Sequence, residues 1–245
     1  MTQSQSFIAP DWPAPSWVRA ASTTRLGGQS KTPYASFNLA QHVGDDAKSV
    51  ENNRTWLGDT LSLPAEPSWL TQIHGKHVVD ISDDYQAEAD AAFTRQAEKV
   101  CVVMTADCLP LLLCHQQEKV VATIHVGWRG LAAGIIEATL ACLNVDNNQF
   151  MAWLGPAISA QHFEVGLDVY EALAIDEASK QCFSEGRWQH WYADLYGLAR
   201  LRLMRAGVKA VYGGTYCTFG DDERFFSHRR DGISGRMASL IWMQT

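Results

Sequence analysis

The chain has 245 residues, 47% of them hydrophobic and 19% charged. That is enough apolar material for a substantial core in one large α/β or α+β domain, and too apolar a balance for a disordered chain. A formal net charge of −7 argues against a dedicated nucleic-acid binder, whose partner demands a basic face. No apolar run approaches the ~18 residues of a membrane span.

The N-terminal MTQSQSFIAPDWPAPSW lacks the basic and apolar regions of a signal peptide. Residues 1–20 therefore read as an extension with little sequence signal, and the protein as cytoplasmic. Free thiols are expected at Cys101, Cys108, Cys114, Cys142, Cys182 and Cys217, because none forms a CxxC pair and nothing directs the chain to an oxidising compartment. Residues 21–45 are polar and carry Gly27, Gly28, Pro33 and Gly44, the pattern of a loop-rich region. A helix is predicted over 46–60, with Val50, Trp56 and Leu57 apolar. The runs 99–104 (KVCVVM), 109–114 (LPLLLC) and 119–126 (KVVATIHV) are short and rich in aliphatic residues, and read as buried strands.

A helix is predicted over 131–143, after a glycine turn. Residues 150–154 (FMAWL) form the next strand and end at Gly155-Pro156. Helices are predicted over 166–175 and 193–206, the second closed by Gly207. Residues 208–212 (VKAVY) are again strand-like. Strands and helices alternate, with clusters of hairpin-like strands, which favours a mixed sheet over a strict βαβ array. No repeat or long linker divides the chain, so a single domain over 1–245 is expected. The sequence contains no Walker loop, no GxGxxG after a strand and no GxSxG, which removes the common nucleotide-loop and nucleophile-elbow chemistries.

Three segments end an apolar run or a turn on a soft or imidazole ligand. They are TQIHG (71–75) with His74, TADCLP (105–110) with Cys108, and TIHVGWRG (123–130) with His125. Two imidazoles and one thiolate match a catalytic zinc site with an open fourth position. Their separations are far from zinc-finger spacing, so the fold would have to assemble the site. The same residues also fit a metal-free Cys–His nucleophile pair, and composition does not separate the two. The segment RFFSHRRDGISGRM (224–237) places four arginines and a histidine among Phe, Gly and Ser. It reads either as a solvated basic loop or as an anion site, to which Arg25 and Arg129, both near glycines, could contribute.

Taken in order, ASTTRLGG (21–28), SFNLAQHVGDD (36–46), TQIHG, TADCLPLLL (105–113), HVGWRGLAAG (125–134), LGPAIS (154–159) and FFSHRRDGISGRMAS (225–239) resemble the YfiH family. It is also called the laccase-domain or polyphenol oxidase-like family. The resemblance implies an α+β single domain of mixed β-sheets packed face to face, with flanking helices in α/β/β/α layers. It implies a zinc site at His74, Cys108 and His125, where copper could also bind.

It further implies a small-molecule enzyme that cleaves adenosine, inosine and methylthioadenosine with phosphate and deaminates adenosine. The alternatives are an amidase that edits peptidoglycan precursors by removing L-Ser from UDP-MurNAc-L-Ser, and a copper-dependent polyphenol oxidase. On this reading Asp107 is a candidate proton carrier. Arg25, Arg129 and Arg229 are candidate phosphate-binding groups, and Asn38 and His42 are candidates for ribose or base. A true multicopper oxidase needs HxH patterns, and this chain has eight histidines and no HxH.

Overall fold

The computed structural model describes residues 6–82 and 88–245. Residues 1–5 of the N-terminal extension lie outside the described residues. In chain order the elements are β1 (Phe7–Ile8), β2 (Val18–Thr23), α1 (Ala47–Leu61), β3 (Val78–Asp80), β4 (Ala91–Thr94), β5 (Val100–Thr105), β6 (Leu109–His115) and β7 (Val121–Val126). There follow α2 (Trp128–Ala133), α3 (Ile135–Leu143), β8 (Phe150–Leu154), β9 (Glu164–Val165), α4 (Leu167–Leu173) and α5 (Glu177–Lys180). The chain closes with β10 (Phe183–Glu185), β11 (Trp191–Ala193), α6 (Leu195–Arg205), β12 (Ala210–Gly213), α7 (His228–Asp231) and β13 (Met237–Met243).

Two sheets carry the architecture. One has the order β1-β2-β13-β5 and the other β12-β8-β6-β7-β4-β3, while β10-β11-β9 form a small third sheet. The larger sheet is mixed: β3 with β4 and β8 with β12 run parallel, and its other pairs run antiparallel. Side chains alternate across each strand, and the alternation sorts them into layers. Cys101, Val103, Leu112, Cys114, Val121, Trp153 and Ile241 fill the space between the sheets. Leu109, Leu111, Leu113, Ile124 and Val126 face the helical layer of Leu131, Ile135, Leu140, Leu198 and Leu203. Val100, Val102, Leu240 and Trp242 pack against Phe37, Leu39 and Leu57 on the opposite side. The α/β/β/α expectation therefore holds. It also explains why the strands read as unbroken apolar runs: a strand covered on both faces has no solvent side to mark.

Local chemistry sets most boundaries. Asp46 caps α1 by accepting from Ser49 N, and α1 buries Val50, Asn53 and Leu57 on one stripe. Asp194 caps α6 in the same way through Gly197 N, and Gly207 follows α6 at φ 96°, a conformation that favours glycine. The single helix predicted over 131–143 is two. It begins earlier, at Trp128, and breaks where Gly134 takes φ 86°. The loop-rich reading of 21–45 cut off the end of β2, and β13 was not anticipated. Yet these two strands pair in register from Val18–Met243 to Ser22–Ser239, at the centre of the smaller sheet. The N-terminal extension is also built in, since Phe7–Ile8 pair with Ser22–Thr23 and Asp11 accepts from Trp153 Nε1 at 2.9 Å.

One crossover positions the site. β5 and β6 are consecutive in sequence yet belong to different sheets. The turn between them, Ala106-Asp107-Cys108, carries the chain from one sheet to the other.

Candidate metal centre

Cys108 leaves that turn at the edge of the sheet sandwich. The preceding Asp107 holds φ 90°, a left-handed conformation costly for a side-chain-bearing residue, which must be held by its surroundings. The Asp107 carboxylate supplies the hold. Its Oδ1 accepts from Thr218 Oγ1 at 2.7 Å and its Oδ2 from Arg229 N at 2.7 Å. Both oxygens are thus engaged in clamping the turn to the loop after β12 and to α7.

His125 is the penultimate residue of β7, opposite Pro110, and is 3% exposed. His74 is exposed, at φ 60° in the loop before β3. Gln72 pins that loop to β5 by donating to Met104 O at 2.8 Å and accepting from Met104 N at 2.7 Å.

Asp90, fully buried, ties the two histidines together. Its carboxylate accepts from the backbone N–H of His74 at 2.9 Å and of Gly75 at 2.6 Å. It also accepts from His125 Nδ1 at 2.8 Å, while its carbonyl accepts from His125 N at 2.7 Å. A carboxylate on Nδ1 leaves Nε2 as the ligand atom, the usual outer partner of a metal-bound imidazole. Burial works against the charge on Asp90, but His125 and the N–H donors of Gly75 and His74 outweigh it and hold the acid below its ordinary range. Burial likewise opposes the thiolate of Cys108, and the charge and hydrogen bonds of His125 and His74 still bring it down to about 6. The cation on His125 is disfavoured by burial but raised to about 9 by Cys108 and Asp90.

The candidate ligand atoms of His74, Cys108 and His125 all lie within 4.8 Å of one another, with Cys108 Sγ 3.9 Å from His74 Nε2. A tetrahedral ion with bonds of about 2.0 to 2.3 Å needs donors roughly 3.3 to 3.8 Å apart, so a small inward movement closes the site. Two imidazoles and a thiolate suit zinc, and they also suit copper. Gly127 leaves room for this approach. A Cβ there would meet His74 Cδ2 at 3.0 Å and Cys108 Sγ at 3.3 Å. Among the described residues this is the one such group of candidate ligands.

The triad opens into a recess of about 210 Å³ lined also by His42, Gln72, Met104, His228 and Arg236. His42, Gln72 and Met104 are shared with a second recess of about 360 Å³. There the Arg54 guanidinium lies 3.8 Å from the centre of the Trp69 ring. Neighbouring recesses of this size reach the ~300–1,000 Å³ typical of small-molecule sites.

Of the residues expected at phosphate, ribose or base, His42 lines the recess and Asn38, Arg25, Arg129 and Arg229 do not, while the basic segment 224–237 contributes His228 and Arg236. Asn38 is buried and structural: it donates to Ala40 O and Asp45 Oδ2 and accepts from Arg236 N. Arg25 braces loops through Ala35 O and Asp222 O. Arg129 is exposed, with its guanidinium 4.3 Å from the centre of the Trp128 ring. Arg229 donates to Glu164 O. The arginine that does line the recess is Arg236, fixed by Ser234 O and Gly235 O. Burial lowers its pKa, against the pull of Cys108 and Asp107. The sequence does not single out Asp90 or Gln72. Asp90 carries no signal beyond an isolated carboxylate before a buried strand, and Gln72 sits inside a quoted motif without a chemical reason to stand out.

A family model described as multi-copper polyphenol oxidoreductase laccase matches residues 19–244. The chain belongs to this family. Within it, "Purine nucleoside phosphorylase YfiH" of Escherichia coli (strain K12) is 46% identical over 240 residues, covering 97% of this chain and 98% of that protein. A protein of Pseudomonas aeruginosa, also named a purine nucleoside phosphorylase, is 47% identical over 241 residues and covers 98% and 99%. The crystal structure of protein NMB0706 of Neisseria meningitidis superposes with a TM-score of 0.93 at 45% identity, covering 98% of this chain and 100% of that one. The laccase family thus contains close relatives named for nucleoside chemistry rather than for oxidation.

Proposed function

We propose that this chain is a zinc-dependent purine nucleoside phosphorylase acting on adenosine, inosine and methylthioadenosine, with adenosine deamination as a further activity of the same pocket. The observation that carries the reading is the meeting of a His/His/Cys donor set and a guanidinium, Arg236, in one recess. Relatives of matching length named as purine nucleoside phosphorylases support it.

His74, Cys108 and His125 would hold the metal, which when bound supplies a Lewis acid for a substrate or water oxygen. Asp90 keeps the Nδ1 proton of His125 and fixes the ring orientation. Asp107 acts as a positioning residue, since both its oxygens are committed to Thr218 and Arg229. Arg236 presents the charge that an incoming phosphate needs. His42, Gln72 and Met104, which border both recesses, let one ligand reach from the triad toward Arg54 and Trp69.

The test is chromatography of adenosine and inosine incubated with zinc-loaded protein, with and without phosphate. Release of adenine or hypoxanthine together with ribose 1-phosphate, only when phosphate is present, is the expected result. Arg236→Gln should raise the KM for phosphate more than that for the nucleoside. Nucleosides left intact beside serine release from UDP-MurNAc-L-Ser would replace the proposal with the cell-wall editing amidase.

A further inference from the structure

A second thiol stands in a built environment away from the triad. Cys217 lies in the loop after β12 and is partly exposed. Three groups surround its sulfur: Ser159 Oγ donates at 3.0 Å, Gly220 N donates at 3.3 Å, and His162 Nδ1 lies at 3.3 Å. His162 is held in place by stacking on Phe219, with ring centres 4.7 Å apart and planes at 22°. Ser159 Oγ is also 3.3 Å from His162 Nδ1, so the hydroxyl, imidazole and thiol form one connected cluster. Cys217 and Ser159 both line an open recess of about 490 Å³ bounded by Tyr196, Arg200 and Thr215.

Hydrogen-bond donors aimed at a sulfur favour the thiolate, which is the reactive form. Burial opposes the anion at Cys217, but the donors of Ser159, Gly220 and Phe219 outweigh it and the thiol lies below its ordinary range. Three other thiols are shifted the opposite way. Burial drives Cys101 and Cys114 upward, and burial and Asp194 raise Cys182.

We propose that Cys217 is a reactive thiol of this protein, a site of covalent modification by peroxides and other small soft electrophiles, with His162 as its proton partner. With a peroxide, the thiolate sulfur attacks one peroxide oxygen and an S–O bond forms as the O–O bond breaks. The electron pair leaves with the second oxygen, which takes a proton from His162 or water. The sulfur is oxidised by two electrons to the sulfenic acid and the peroxide is reduced. The site adjoins the metal pocket through its neighbour: Thr218 donates to Asp107 beside Cys108.

The experiment treats the full-length metal-loaded protein with dilute hydrogen peroxide in the presence of dimedone, which traps sulfenic acids. Peptide mapping then follows each cysteine with time, with Cys108 scored separately. Cys217 should be labelled about tenfold faster than the exposed Cys142. Ser159→Ala and His162→Gln, each checked for a native thermal melt, should slow Cys217 several-fold. Labelling of Cys142 as fast as Cys217, or a Cys217 rate that neither variant changes, overturns the proposal.

Discussion

Asp90 is the residue on which the candidate centre depends most beyond its three ligands. Asp90→Asn keeps the size of the side chain but replaces the buried anion on His125 Nδ1 with an amide. Metal affinity should fall by about 10- to 100-fold, the usual effect of losing such an outer partner, as read by competition with a chelator. An unchanged affinity would mean that the His125 contact plays no part in binding. Gly127→Ala tests space rather than charge, because its Cβ would press on His74 and Cys108. It should weaken metal retention while far-UV circular dichroism stays native. In metal-free protein Cys108 should carry most of its charge as thiolate at pH 7, since its pKa is about 6. Alkylation by iodoacetamide should therefore be fast at neutral pH and fall as the pH drops through about 6 and the thiolate takes up a proton. An alkylation profile centred near the ordinary ~8.5 of a free thiol would contradict the stabilising role given to His125.

At the scale of elements, legibility followed burial pattern and cap chemistry, except at β13, a fully buried apolar run that was not anticipated. α1, with Asp46 before it and a buried stripe inside it, could be read almost to its ends. β6, β7 and β8 could be read because each is a short, fully buried apolar run. β2 (VRAAST) could not, since its small and polar residues owe their strand state to pairing with β13 more than two hundred positions away. The split between α2 and α3 was hidden because one glycine in an Ala-rich segment does not reveal its φ angle.

The site shows the same division. Three candidate ligands could be singled out because imidazole and thiolate have chemical meaning in isolation, although only the family resemblance favoured a metal over a Cys–His pair, whereas the arginines could be ranked only once the fold placed Arg236 in the recess and the others outside it. Asn53 of α1 ties the helix to the loop that precedes it. It donates to Ser30 Oγ, Ser36 O and Asn38 O, and accepts from Gln29 N. Asn53→Ala leaves those buried partners unsatisfied and should cost roughly 2–3 kcal/mol, seen as a lower Tm. A Tm within error of wild type would show that the loop finds other partners.

Across the whole molecule the candidate centre joins three separate pieces of chain: the loop before β3, the sheet-to-sheet turn and the end of β7. Metal held there closes the sandwich at one edge and should stabilise the fold by mass action, about 2.7 kcal/mol at a free metal concentration 100 times Kd. The family's name would suggest several coppers. One three-ligand group among the described residues instead leads to an expectation of one tightly bound metal per chain.

The most direct measurement follows phosphorolysis of inosine as metal-free protein is titrated with zinc, beside Cys108→Ala treated identically. Activity that rises from baseline and saturates at one zinc per chain in the wild type, with none in the variant, is the result this account requires. Full activity without metal, or in the Cys108→Ala protein, would contradict it.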